Sequence, residues 1–404
     1  MQSKDDRAFW LAWSEIPGIG AILLRRLHQH FGSLANAWEA SSAELEAVEG
    51  VGWQTAEAVS RERRRYDPPA LLYKHEQKNP QFWTPADPEY PSLLLEIADP
   101  PALLYYRGTI DRLENQGIIP SIAIVGTRHP SDYGKRWTRK LSTALVEAGF
   151  TVVSGLANGV DTEAHQSALI AGGRTIAVLG TGVDVIYPWS NRQLAQQIEK
   201  HGLLLSEHPA GTQPDRTHFP RRNRIIAGLC RATLVIEAPE KSGSLITARL
   251  ANEYSRDVYA LPGSLDNPRS KGCLALLNQG AQVILGEEEL LACLGLLPQL
   301  AHHLAVPANS SGQLSFWAEG LSGSTSKELS PQTADLSPQT VTRSTISIST
   351  EAQQVFQAVH LEPTTLDQIV QQTGLPTARI LSSLSELELL GLVSLLPGMR
   401  YQKG

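Results

Sequence analysis

The sequence has only three cysteines in 404 residues, Cys230, Cys273 and Cys293, and their separations suit neither a metal site nor a disulfide framework. Buried thiols are expected, and no metal. No apolar run approaches the roughly 20 residues that span a bilayer, so no membrane association is predicted. The first residues, MQSKDDRAFW, lack the apolar centre of an export signal, which predicts a cytoplasmic protein. Neither G-x-G-x-x-G nor G-x-x-x-x-G-K-[ST] occurs, so NAD and Walker-type ATP sites lack their signatures and no cofactor is expected.

A global positive charge is also missing: the chain carries a formal net charge of -6. Residues 1–116 hold 12 basic and 17 acidic groups, whereas 117–295 hold 18 and 16. Only the middle has a basic excess, so a polyanionic partner would be held by a placed patch and not by the field of the whole molecule.

Five segments follow from the pattern. Residues 1–66 repeat one unit, "IPGIG" at 16–20 returning as "VEGVG" at 48–52, each before a helix-like stretch carrying Arg25 and Leu27 or Ala56 and Val59. This is the layout of a helix-hairpin-helix (SAM-like) domain. Its glycine turns either present N–H groups to a phosphate or only let two helices pack closely, and the acidic neighbours Glu46 and Glu49 favour packing. Residues 67–116, rich in proline and aromatics, read as a connector packed on the core. From 117 to 295, β-branched runs alternate with amphipathic helices ("SIAIVG", "FTVVSG", "TIAVLG", "LLLSE", "ATLVIEA", "DVYALPG"). That alternation predicts an α/β fold, an extended Rossmann-like parallel sheet, with ligands beyond the carboxyl ends of its strands. Residues 296–350, with "LSPQT" twice, read as a flexible linker. Residues 351–404 have the spacing of a winged helix, with Ile380, Leu384 and Leu387 on one helical face. Arg379 is nearly alone among serines and glutamates there, which favours a protein-contact module over a major-groove reader.

The strand ends carry the candidate chemistry. "VGTR" offers Gly126, Thr127 and Arg128 at a turn where a phosphate could dock, against the alternative of a plain strand-to-helix turn with a surface arginine. "SGLANGVDTEAH" supplies Gly155, Asn158 and Gly159, with Asp161 and His165 one turn apart, suited to acid/base work or to a structural hydrogen-bonded pair. Arg174 flanks the third strand. "HFPRRNRIIAG" then sets Phe219 beside Arg221, Arg222, Asn223 and Arg224. A guanidinium-rich loop next to an aromatic suits a phosphodiester with unstacked bases. Salt bridges to Glu237 or Asp161 would account for one arginine more easily than for three. Ser242, Gly243 and Ser244 open a further helix, another anion-friendly end.

Eight ordered motifs, "VGTR", "SGLANGVDTEAH", "TIAVLGTGVDVIYP", "LLSEHPAGTQP", "FPRRNRIIAGL", "IEAPEKSGSLITARLA", "VYALPG" and "SKGCLALLNQGA", together resemble the DNA-processing protein A (DprA, or Smf) family. The resemblance is strong over roughly residues 85–285. It implies a non-enzymatic protein that binds single-stranded DNA, works as a homodimer and loads the RecA recombinase during natural transformation. It also implies a basic DNA-binding pocket on Arg128, Arg174 and the 221–224 loop. The apolar run at 274–285 could supply a dimer surface. The competing reading is a nucleotide or nucleoside hydrolase using Asp161, His165 or Glu207. A third reading is a scaffold whose winged helix recruits partners.

Overall fold

The computed structural model describes residues 2–295, 350–360, 364–375, 392–396 and 400–403, together with residues 379, 380, 383, 384 and 387. The chain divides into two compact units, Met1–Ala308 and Asn309–Gly404.

The first unit is built on a nine-stranded sheet: β1 (Phe82–Trp83), β2 (Leu104–Gly108), β3 (Ser121–Val125), β4 (Thr151–Ser154), β5 (Thr175–Leu179), β6 (Leu203–Ser206), β7 (Ala232–Val235), β8 (Asp257–Ala260) and β9 (Gln282–Val283). Their order is β1-β2-β6-β5-β4-β3-β7-β8-β9. The six runs picked out by β-branched residues become β3 to β8, all parallel. Every residue of β3 to β7 is buried, as expected when helices cover both faces. Successive residues feed opposite layers. Ala123 and Val125 pack with Ile225, Ala248 and Cys273, while Ile122 and Ile124 pack with Leu141, Leu145 and Ala164.

The chain leaves β3 toward β4, β5 and β6 on one side and returns to β7, β8 and β9 on the other. β3 and β7 are therefore neighbours whose connections diverge. This is the topological switch point, where an open α/β sheet leaves a crevice at its carboxyl rim.

Segment 67–116 is more than a connector. It adds β1 and β2 to the sheet edge, with β2 antiparallel to β6, while Tyr90, Leu94 and Ile97 join one core layer. Two short strands between prolines carry too little alternation to be read locally. The stretch from 218 to 224 differs too. It is not a loop but the start of a helix, His218–Leu229. Of the cysteines, Cys230 and Cys273 are buried and Cys293 is exposed.

The glycine repeat folds as two matching turns. Gly18 and Gly50 take left-handed φ values of 86° and 89°, while Gly20 and Gly52 are extended N-caps of helices Ala21–Phe31 and Trp53–Glu62. Arg26 bridges the copies, donating to the Glu49 carbonyl at 2.9 Å and its carboxylate at 3.1 Å. Arg25 donates to the Ile97 carbonyl at 2.7 Å. Both cations near the first turn are spent on packing.

The second unit contains helices Thr350–Ala358 and Leu366–Thr373 and a three-stranded sheet, β10 (Thr364–Thr365), β11 (Val393–Leu396) and β12 (Arg400–Lys403), in the order β10-β12-β11. Ile380, Leu384 and Leu387 are buried with Val355 and Ile369, the face their spacing predicts. Apart from Thr350, the expected linker lies outside the described residues, as do Ser382, Glu386 and Glu388 of the second winged-helix helix.

Candidate functional site

A cavity of about 720 Å³ opens at the carboxyl rim of β3, β4 and β7. The β3 turn supplies Gly126, Thr127 and Arg128, the β7 side supplies Lys241, Ser242, Gly243 and Ser244, and the helix from His218 supplies Phe219, Arg222 and Asn223. Tyr187 and Arg216 complete the wall. Adjoining it, a cavity of about 40 Å³ is lined by Gly155, Asn158, Tyr187, Pro188 and Phe219 among others.

Each wall has a local cause. The Thr127 N–H donates to the Glu237 carbonyl at 2.7 Å, so the turns after β3 and β7 are stitched together. The buried Glu237 carboxylate accepts from the Ser131 N–H and hydroxyl at 2.8 and 2.6 Å, fixing the start of helix Asp132–Glu147. Ahead of the helix from His218, Asp215 accepts the Thr217 N–H at 2.7 Å, an Asx turn that sets Arg216 on the outside of the bend. Asn223 donates to the Gly243 carbonyl at 3.2 Å, and helix Ser244–Glu253 begins there, its Ser244 N–H donating to the Ser242 hydroxyl at 3.3 Å. The Tyr187 and Phe219 rings lie 5.6 Å apart.

The cations divide by role. Arg128, Arg216 and Lys241 are exposed and form no ion pair among the described residues. Arg222 is 5% exposed and donates inward to the carbonyls of Gly155, at 2.7 Å, and Val178. Burial lowers its pKa to about 10, against the favourable field of Asp161. Burial raises the pKa of Asp161, opposed by Arg222 and by the N–H groups of Ala157 and Gly155, each 3.2 Å from its Oδ2. Gly155 has no Cβ because one would overlap the Arg222 guanidinium, at 2.5 Å. At Gly159, with φ of 87°, a Cβ would strike the backbone of Thr127 and Arg128. These two glycines admit the protein's own groups.

The expected pocket is thus only partly assembled from the expected residues. Arg221 is exposed and does not line the cavity. Arg224 is held away from it by Glu207 at 2.6 Å and Asp99 at 3.2 Å. A helix turns each side chain by about 100° from the last, so Arg222 points away from Arg221 and Arg224, which lie only about 60° apart and are separated by the pairing of Arg224 with Glu207 and Asp99. Gly159 lines a separate hollow with Arg128, His129, Lys135 and Arg269. Arg174 stands at the amino end of β5, about 16 Å from the carboxyl rim by strand length, and pairs with the buried Glu114 at 2.8 Å. Arg216, Lys241 and Tyr187 are not among the residues that the sequence singles out. Their signal is a cation or aromatic beside a turn that follows a strand, "PDRTH", "PEKSG" and "VIYP".

The three groups considered for hydrolysis are engaged internally. The His165 Nδ1 lies 2.7 Å from the Thr175 hydroxyl, and burial holds its pKa down to about 3. Glu207 is paired with Arg224, and Asp161 accepts the two N–H groups described above.

Fold and site together define a class: a doubly wound Rossmann-like domain with a cationic, aromatic-walled cavity at its switch point. The sequence pattern described as "DNA recombination-mediator protein A" matches residues 81–295, and the pattern of the "DprA winged helix domain" matches 334–399. The chain is 50% identical over 404 residues to Protein Smf of Synechocystis sp., covering 99% of this chain and 100% of the relative. It is 46% identical over 235 residues to DNA processing protein DprA of Streptococcus pneumoniae, covering 58% and 81% respectively. The crystal structure of the S. pneumoniae protein superposes with a TM-score of 0.62 at 38% identity, covering 70% of this chain and 97% of that one. The chain belongs to the DNA recombination-mediator protein A (DprA/Smf) family, as its eight motifs imply. Among the described residues, no helix is long and apolar enough to cross a membrane.

Proposed function

We propose that this is a cytoplasmic, non-enzymatic protein that holds single-stranded DNA at the carboxyl rim of its sheet and delivers it to a RecA-type recombinase during natural transformation. One observation carries the reading: three exposed cations without carboxylate partners among the described residues, Arg128, Arg216 and Lys241, ring a cavity walled by Phe219 and Tyr187. Phosphates suit the cations, and the positive end of helix Ser244–Glu253 at the cavity wall adds to their field. Unstacked bases suit the rings, each stacked base contributing about 1–3 kcal/mol. Arg222 and Asp161 form the floor and set its shape.

Duplex DNA presents no free base faces and is expected to bind more weakly. Titration of fluorescent single- and double-stranded oligonucleotides at several salt concentrations tests this. With three phosphate contacts, log K should fall with log salt at a slope of about −2. Equal affinity for both forms, or no salt dependence, refutes the reading. Delivery to the recombinase is supported by family membership and is tested by adding protein before or after recombinase in a strand-pairing assay. Homodimerisation is supported by the sheet edge at β9, where Val283 and, just beyond the strand, Leu285 are exposed. Sedimentation at micromolar concentration tests it.

A further inference from the structure

Trp189 is 70% exposed, although tryptophan is on average among the more buried side chains. It is not on a loose loop. It opens the short turn Trp189–Asn191, which the buried Asn191 pins by donating to the Leu156 carbonyl and the Thr162 hydroxyl, both at 2.9 Å. Ser190 adds a bond to Asn158 at 3.2 Å. The Arg192 guanidinium lies 4.7 Å from the Trp189 ring centroid, covering one face of the indole. Trp189 is two residues from Tyr187, itself 45% exposed and part of the cavity wall, so their Cα atoms are at most about 7 Å apart.

We propose that Trp189 and Arg192 form a second stacking platform outside the cavity, which takes a nucleobase of a single strand as it leaves past Tyr187. This rests on the single-strand reading above. The open indole face stacks the base, and the guanidinium on the other face stands where it can pair with the adjoining phosphate. Continuity with the cavity selects this occupant: Tyr187 and Pro188 line the inner space, and the pinned turn carries the aromatic surface on from them.

The test measures full-length wild type, Trp189→Ala and Trp189→Phe by fluorescence anisotropy with oligothymidylates that either just fill the cavity or run several nucleotides beyond it. Lengthening the strand is expected to raise wild-type affinity, and Trp189→Ala to shrink that gain about tenfold. Trp189→Phe should retain most of it. Making the added nucleotides abasic should reproduce the alanine loss in wild type, because the phosphates remain and the bases do not. Thermal melting should match wild type, as the side chain is exposed. An undiminished gain in Trp189→Ala overturns the proposal, as does a shift in sedimentation without a change in length dependence, which would make the indole a protein contact. If wild type binds no oligothymidylate of any length, the single-strand reading itself has failed. That outcome is distinct from the loss of the platform alone.

Discussion

The two rims of the central sheet use the same kind of residue to opposite ends. At the amino rim, Arg174 gives its guanidinium to Glu114, whose side chain is only 2% exposed, and to the Thr109 carbonyl at 2.9 Å. That cation is consumed in joining β5 to the segment before β3. At the carboxyl rim, Arg128, Arg216 and Lys241 have no carboxylate partner among the described residues, and the buried Arg222 points down into strand carbonyls. Cation content therefore does not mark a polyanion site. Cations left unpaired on a rim where helices start are the ones free for an anion, and the partial positive charge of those helix N-termini adds to theirs.

Substitutions can break this contrast. The largest effect is expected for Arg222→Ala, which leaves the Gly155 and Val178 carbonyls buried without their donor and removes the charge that faces Asp161; a loss of about 4 kcal/mol of stability is anticipated. Denaturant unfolding reads it, and a variant as stable as wild type would show that the floor does not depend on this side chain. Next, Arg128→Ala with Lys241→Ala should weaken single-strand binding about hundredfold with the melting temperature unchanged. The salt slope should fall to about −0.7 as two contacts disappear. Arg174→Ala should do the reverse, costing about 2 kcal/mol of stability by stranding Glu114 while leaving oligonucleotide affinity at the wild-type level. Weakened binding there would merge the two rims into one DNA path.

The smallest effect concerns pH. The pKa of buried His165 is lowered to about 3 by burial, then by Arg222. Between pH 6.5 and 3 the unfolded chain therefore binds a proton that the folded chain does not. Stability should decline on acidification below 6.5 by about 1.4 kcal/mol per pH unit from this group. His208, held down to about 4 mainly by burial, adds a similar decline over a narrower window. The raised pKa of Asp161 acts oppositely, favouring the folded state more as its carboxyl protonates. Melting curves from pH 7 to 5 of wild type and His165→Gln should differ in slope; parallel curves would remove His165 from the account.

Much of this architecture is legible locally. β3 to β8 announce themselves because a strand buried on both faces must be almost wholly apolar, and the repeated glycine turns because only glycine takes φ near +87° without strain. The winged-helix face of Ile380, Leu384 and Leu387 follows from helical periodicity. β1 and β2 are not legible, since their membership depends on pairing with β6, far along the chain. In the site, Gly126, Thr127, Arg128, Phe219 and Ser242 to Ser244 could be found because they stand at strand ends or helix starts. Arg216, Lys241 and Tyr187 join them only because separate turns converge.

The sequence by itself determined the order of strands and helices, the rim on which a ligand would sit and the family, since each depends on patterns repeated over many neighbouring residues. Only the tertiary structure decided what each arginine does. In "PRRNR", three identical charged groups receive three fates: Arg221 outward to solvent, Arg222 down to strand carbonyls and Arg224 across to Glu207 and Asp99. The azimuth of each on its helix, and the partners waiting there from distant parts of the chain, set those fates, and neither is written in the residue type.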